Sequence, residues 1–153
     1  DTESFAYMDK STAGMGVCTT LTTNDQCNPA SDDNVSTGEY LRLLFNRDVV
    51  IDSLTFNNNH DGGFGNFNSS EIDINGVNVS PIGGKGPKEF TNSNWSLGAG
   101  SFFDIAYVDR DANPERNQFY LEKLVVSEVP EPSSIFLMGL GLLGLGLFRK
   151  KQS

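Results

Sequence analysis

The chain has 153 residues with 11 basic and 20 acidic side chains, a net charge of −9. Three of the basic residues are Arg149, Lys150 and Lys151, so residues 1–148 hold 8 basic against 20 acidic groups, a net −12. Such a surface has no basic patch with which to neutralise phosphates, which argues against nucleic acid as a partner. The length leaves room for a single domain over residues 1–128, large enough to bury a core of its own, ahead of a tail of different character over 129–153.

Asp1-Thr2-Glu3-Ser4 lacks the basic start and apolar run of a signal peptide, so Asp1 is expected to be a processed N-terminus. Alternating or β-prone apolar runs then recur at Phe5–Met8, Gly14–Thr20, Tyr40–Phe45, Val49–Phe56, Glu71–Ile74 with Val77–Val79, Phe102–Val108 and Phe119–Val126. Turn formers separate them: Asn28-Pro29, residues 57–65, Asn75-Gly76, residues 81–87 and Ala112-Asn113-Pro114. Asn75-Gly76, between Ile74 and Val77, is a two-residue hairpin signal. No helical period of comparable length precedes the tail. The pattern predicts an all-β fold: an antiparallel β-sandwich, jelly-roll or immunoglobulin-like, followed by one short C-terminal hydrophobic α-helix.

Cys18 and Cys27 lie nine positions apart in a polar, turn-rich segment. A disulfide closing that small loop would stabilise the fold by about 2–3 kcal/mol and fits an oxidising compartment. Hard oxygen ligands cluster twice, at Asp32-Asp33-Asn34 with Glu39, and at Asp109, Asp111 and Asn113 with alternate-position spacing. Both make Ca²⁺ the leading cofactor candidate, although the second cluster lacks the glycine and distal glutamate of an EF-hand. Trp95, Tyr107 and Tyr120 are available for stacking a sugar, with Trp95 the candidate platform, although most aromatics of a small β protein are expected in the core. The lone histidine, His60, has no nucleophile motif beside it, so no catalytic residue is assigned and the chain is read as a non-enzyme.

The tail opens with Pro130-Glu131-Pro132, continues through Ile135–Phe148 with ten apolar residues and four glycines, and closes on Arg149-Lys150-Lys151. As a helix the run would rise about 21 Å, against a hydrocarbon core of roughly 30 Å. That is short for a permanent span, and the cationic end would stay cytoplasmic. At 100° per residue Gly139 and Gly146 share one face, with Gly141 and Gly144 nearly opposite, so two neighbours could approach such a helix closely.

This three-part tail resembles the PEP-CTERM sorting signal of Gram-negative bacteria. The resemblance implies transient anchoring in the inner membrane, and cleavage near the triplet by an exosortase, a membrane cysteine protease. It also implies delivery of the upstream domain to the cell surface or to an exopolysaccharide matrix. The stretch from Gly14 to Phe56 is similar to a β domain common among proteins with this signal, from which no biochemical role follows. The resulting expectation is an exported structural or adhesive protein of the cell surface or biofilm matrix, forming a homo-oligomer or filament through a retained tail helix. The alternative is a membrane-anchored or exosortase-released carbohydrate-binding module.

Overall fold

A computed structural model describes residues 4–9, 13–36, 38–57, 71–79, 87–91, 95–108, 118–129 and 138. The described elements are strands: β1 (Phe5–Asp9), β2 (Gly14–Cys18), β3 (Tyr40–Leu44), β4 (Val49–Asn57), β5 (Glu71–Ile74), β6 (Val77–Val79), β7 (Lys88–Thr91), β8 (Ser96–Leu97), β9 (Phe102–Val108) and β10 (Tyr120–Glu128). They form two antiparallel sheets. One runs β1-β2-β10-β4-β7 with β8 also on β4, and the other runs β3-β9-β5-β6.

The all-β reading holds, and period-two alternation explains most of it. In β9, Phe103, Ile105 and Tyr107 point inward while Phe102, Asp104 and Ala106 point outward, and in β5 Ile72 and Ile74 take the buried side. These side chains meet Ile51, Leu54 and Phe56 of β4 and Leu121 of β10 in one core, so the two sheets pack face to face. Phe56 anchors it, stacking edge-on against Phe119 at 5.2 Å and tilted against Phe90 at 5.6 Å.

Two strands were not legible in the pattern. β7 carries a single large apolar residue, Phe90, and β8 is two residues long. Both are strands because β4 offers them an edge, Val49 and Val50 to β8, and Ser53–Phe56 to β7. β10 likewise extends beyond Val126 to Glu128, since Ser127 and Glu128 find partners in Val50 and Val49.

Glycine matters at two kinds of place. Asn75 and Gly76 have φ of 50° and 86°, the two left-handed residues of a tight hairpin between β5 and β6. Gly76 N–H also donates to Asp73 Oδ1 at 2.8 Å. At Gly16 of β2 a Cβ would sit 2.0 Å from the Asp33 carbonyl oxygen, so only glycine admits the returning 33–35 segment. That segment is tied down by Val17 N–H to Asn34 O at 3.2 Å and by reciprocal bonds between Val35 and Phe119.

Of the tail beyond Val129 only Met138 is described, in helical conformation and 70 % exposed. The remainder of the expected C-terminal helix lies outside the described residues. Among those residues no helix is long and apolar enough to cross a membrane.

Candidate functional site

The chain leaves the domain from an interior strand. β10 lies between β2 and β4, and its last residue, Glu128, is paired with Val49 at the start of β4. Val129 N–H donates to Asp48 O at 3.1 Å, and Arg47 Nη1 donates to Glu128 Oε1 at 2.6 Å. The Asp48 carboxylate in turn accepts from Ala99 N–H at 2.7 Å, joining the 45–48 and 98–101 loops at the same end of the sandwich. Val129 alone separates the last paired residue from Pro130.

The opposite end is closed covalently. Cys18 and Cys27 form a disulfide with Cα atoms 5.8 Å apart. Just beyond it, Tyr120 O–H donates to Asp33 Oδ1 at 2.7 Å and Asn34 Nδ2 donates to Gln118 Oε1 at 2.6 Å. Asp33, Asn34 and Tyr120 are all buried, so these bonds satisfy polar groups that water does not reach.

The first calcium cluster is not assembled as a coordination shell. Asp32 Oδ2 accepts from Thr19 N–H at 3.0 Å, Asp33 faces Tyr120, Asn34 faces Gln118, and Glu39 Oε2 accepts from Ser36 N–H at 2.8 Å and Ser36 Oγ at 2.7 Å. Each side chain is taken by a different partner because the loop uses its oxygens to fasten itself. Among the described residues the one convergent trio of metal-binding types is Cys18, Cys27 and Asp32, and its two sulfurs are consumed by the disulfide. Asp109, Asp111 and Asn113 lie outside the described residues, as do Pro130, Glu131, Pro132, Gly139, Gly141, Gly144, Gly146, Arg149, Lys150 and Lys151.

Trp95 requires a correction. It is 7 % exposed and packs edge-on against Phe103 at 5.8 Å, while its carbonyl accepts from Ile51 N–H at 2.9 Å. A sugar platform needs an accessible ring face, and this one is spent on the core. The exposed aromatics are elsewhere. Tyr40 and Phe102 are about half exposed on the outer face of β3 and β9, with Arg42 between them. Arg42 Cζ lies 5.2 Å from the Tyr40 ring centroid and 4.8 Å from that of Phe102. Its guanidinium grips Asp104 with two bonds of 2.7 Å each. The hydrogen bond from Arg42 holds the Asp104 carboxyl below its ordinary range, and Asp104 raises the pKa of Arg42 in return. The sequence signal for this face was the alternation Tyr40-Leu41-Arg42-Leu43-Leu44, whose outward positions were read only as strand.

Between β3 and the β1–β2 hairpin an open groove of about 340 Å³ is lined by Phe5, Ala6, Met15, Val17, Leu41 and Leu43 among others. It is a seam of mixed polarity, with Ser4, Tyr40 and Arg42 also on its walls.

The fold and its junction define a class: an all-β domain whose interior last strand runs directly into a short hydrophobic, basic-ended tail. The tail identifies the route it takes. Residues 128–151 match the PEP-CTERM protein-sorting motif. No curated protein and no solved structure matches the chain. The motif marks an exported protein of Gram-negative bacteria, processed by exosortase and placed at the cell surface.

Proposed function

We propose that this chain is a non-enzymatic structural or adhesive protein of the cell surface or surrounding matrix, displayed by the tail that continues β10. The supporting observation is the junction. A domain carried on a flexible linker would end in a long polar segment, whereas here the sorting motif begins on Glu128, the last residue of an interior strand, and one residue separates that strand from Pro130. Whatever holds the tail therefore holds the sandwich close and in a restricted orientation.

Self-assembly through the tail is the favoured form of this reading. Its support is sequence geometry: small residues on two opposed helical faces, Gly139 with Gly146 and Gly141 with Gly144, suit packing in a continuing row. A heterologous contact of that kind yields a filament when it does not close. The carbohydrate-binding alternative loses the platform it rested on, since Trp95 is buried. Mass spectrometry of the native C-terminus, combined with electron microscopy of surface material, tests the proposal. Multimers carrying intact tails are expected. Monomers ending near Pro132 would eliminate assembly through the tail.

A further inference from the structure

The two ends of the sandwich differ in a way that sorting alone does not require. At the end where the chain exits, Leu44 is 61 % exposed, Phe102 is 54 % exposed and Val129 is 38 % exposed. Leu44 and Phe102 are register partners at the rim of the second sheet, and the 45–48 loop carries the chain from Leu44 to Val49, beside Glu128. Just inward of them on the same face lies Arg42, a side-chain type that places an apolar stem and a polar head across an interface. The 98–101 loop at this end, Gly-Ala-Gly-Ser, has no charge.

The charged groups at the two ends are partnered differently. At the exit end Arg47 is paired with Glu128, and the Asp48 carboxylate accepts from Ala99 N–H. The described loop at the far end, residues 19–36, carries Asp25, Asp32 and Asp33 and no basic residue.

Chain length then names what this end meets. Val129 and residues 130–134 are all that lies between β10 and the hydrophobic run beginning at Ile135. Fully extended at roughly 3.3–3.6 Å per residue they reach only about 20 Å. A nine-residue strand such as β10 is itself about 30 Å long. A tail inserted in lipid therefore keeps the exit end at the bilayer surface and the disulfide end away from it.

We propose that the exit end of the sandwich, centred on Leu44 and Phe102 with Val129 beside them, is a lipid-contacting surface that seats the domain on the bilayer its tail enters. This rests on the reading of the tail as the element that holds the protein. Leu44 and Phe102 enter the acyl boundary, and Arg42 stays at headgroup level. The Arg42–Asp104 pair carries no net charge, so these two side chains add none to the contact.

The test uses the full chain in vesicles of phosphatidylethanolamine with a minor share of phosphatidylglycerol. In a W95F background, which removes the buried native indole, F102W, L44W and F5W each supply a single reporter. Phe5 is 47 % exposed and opposite Cys18 at the disulfide end, so it serves as a matched control. Flotation with the vesicles reads tail insertion. A blue shift and loss of intensity with acyl-brominated lipid, for F102W and L44W but not F5W, is the expected result. Flotation with equal quenching at all three positions, or at none, overturns the seating alone and leaves tail anchoring standing. No flotation at all overturns both. Response of F102W to soluble matrix polysaccharide, without response to vesicles, assigns the face to a glycan and likewise overturns the proposal.

Discussion

The disulfide end and the exit end of this sandwich are fastened by different physics. At the disulfide end the 19–35 loop is held by a covalent bridge, by buried hydrogen bonds from Tyr120 and Asn34, and by the Val35–Phe119 bridge over the core. At the exit end the ties are an exposed ion pair, Arg47 with Glu128, and single backbone bonds such as Val129 N–H to Asp48 O. Buried and covalent restraints resist water and salt, and exposed ones do not. The contrast teaches that the loops at the two ends are fastened differently over one shared core, covalently and by buried bonds away from the tail and by exposed bonds beside it.

The largest effect should come from the core beneath the disulfide end. Phe119 is fully buried against Phe56, and Phe119→Ala is expected to cost about 3–5 kcal/mol in denaturant unfolding. Cys27→Ser opens the small loop and should cost about 2–3 kcal/mol on the chain-entropy estimate, reproduced by reductant on the unmodified chain. Tyr120→Phe strips the hydroxyl from the buried bond to Asp33, with an expected loss of about 1–3 kcal/mol in the same assay.

At the exit end the corresponding loss is small. Arg47→Ala breaks a pair whose side chains are more than half exposed, and a change of about 0–1 kcal/mol, shrinking further in high salt, is expected. A loss from Arg47→Ala as large as that from Tyr120→Phe would dissolve the comparison.

Acidification gives the smallest effect, and its sign is fixed. Because Arg42 depresses the folded Asp104 pKa, the pair's contribution is complete above the ordinary carboxylate pKa of about 4 and is lost as pH falls through the lower folded value. The pair is solvent-exposed, so the change is slight. Comparing Asp104→Asn with the unmodified chain across that range isolates it: the variant should lack this part of the acid sensitivity.

Much of the fold could be read from residue order because alternation in β3, β5 and β9 coincides with which side meets the core. β7 and β8 could not, since Lys88–Thr91 and Ser96–Leu97 carry almost no pattern and become strands only by pairing with β4. Trp95 shows the opposite error. An isolated tryptophan in a polar stretch reads as a surface platform, yet packing against Phe103 buries it. The acidic positions Asp32, Asp33 and Glu39 suggested shared ligation, and their separate donors became visible only once Thr19, Tyr120 and Ser36 were placed around them.

The tail was recognisable from sequence alone, because a Pro-Glu-Pro triplet, a glycine-leucine run and a basic end are local features that need no partner. The same is true of the all-β character and of the Asn75-Gly76 turn, whose left-handed angles are a property of two residues. What only the tertiary structure decided is position across distance. It made the last strand an interior one, carried pairing to Glu128, and gathered Leu44, Phe102 and Val129 at the end from which the tail departs. Those relations join residues far apart in the chain, and strand register, which no local pattern encodes, brings them together.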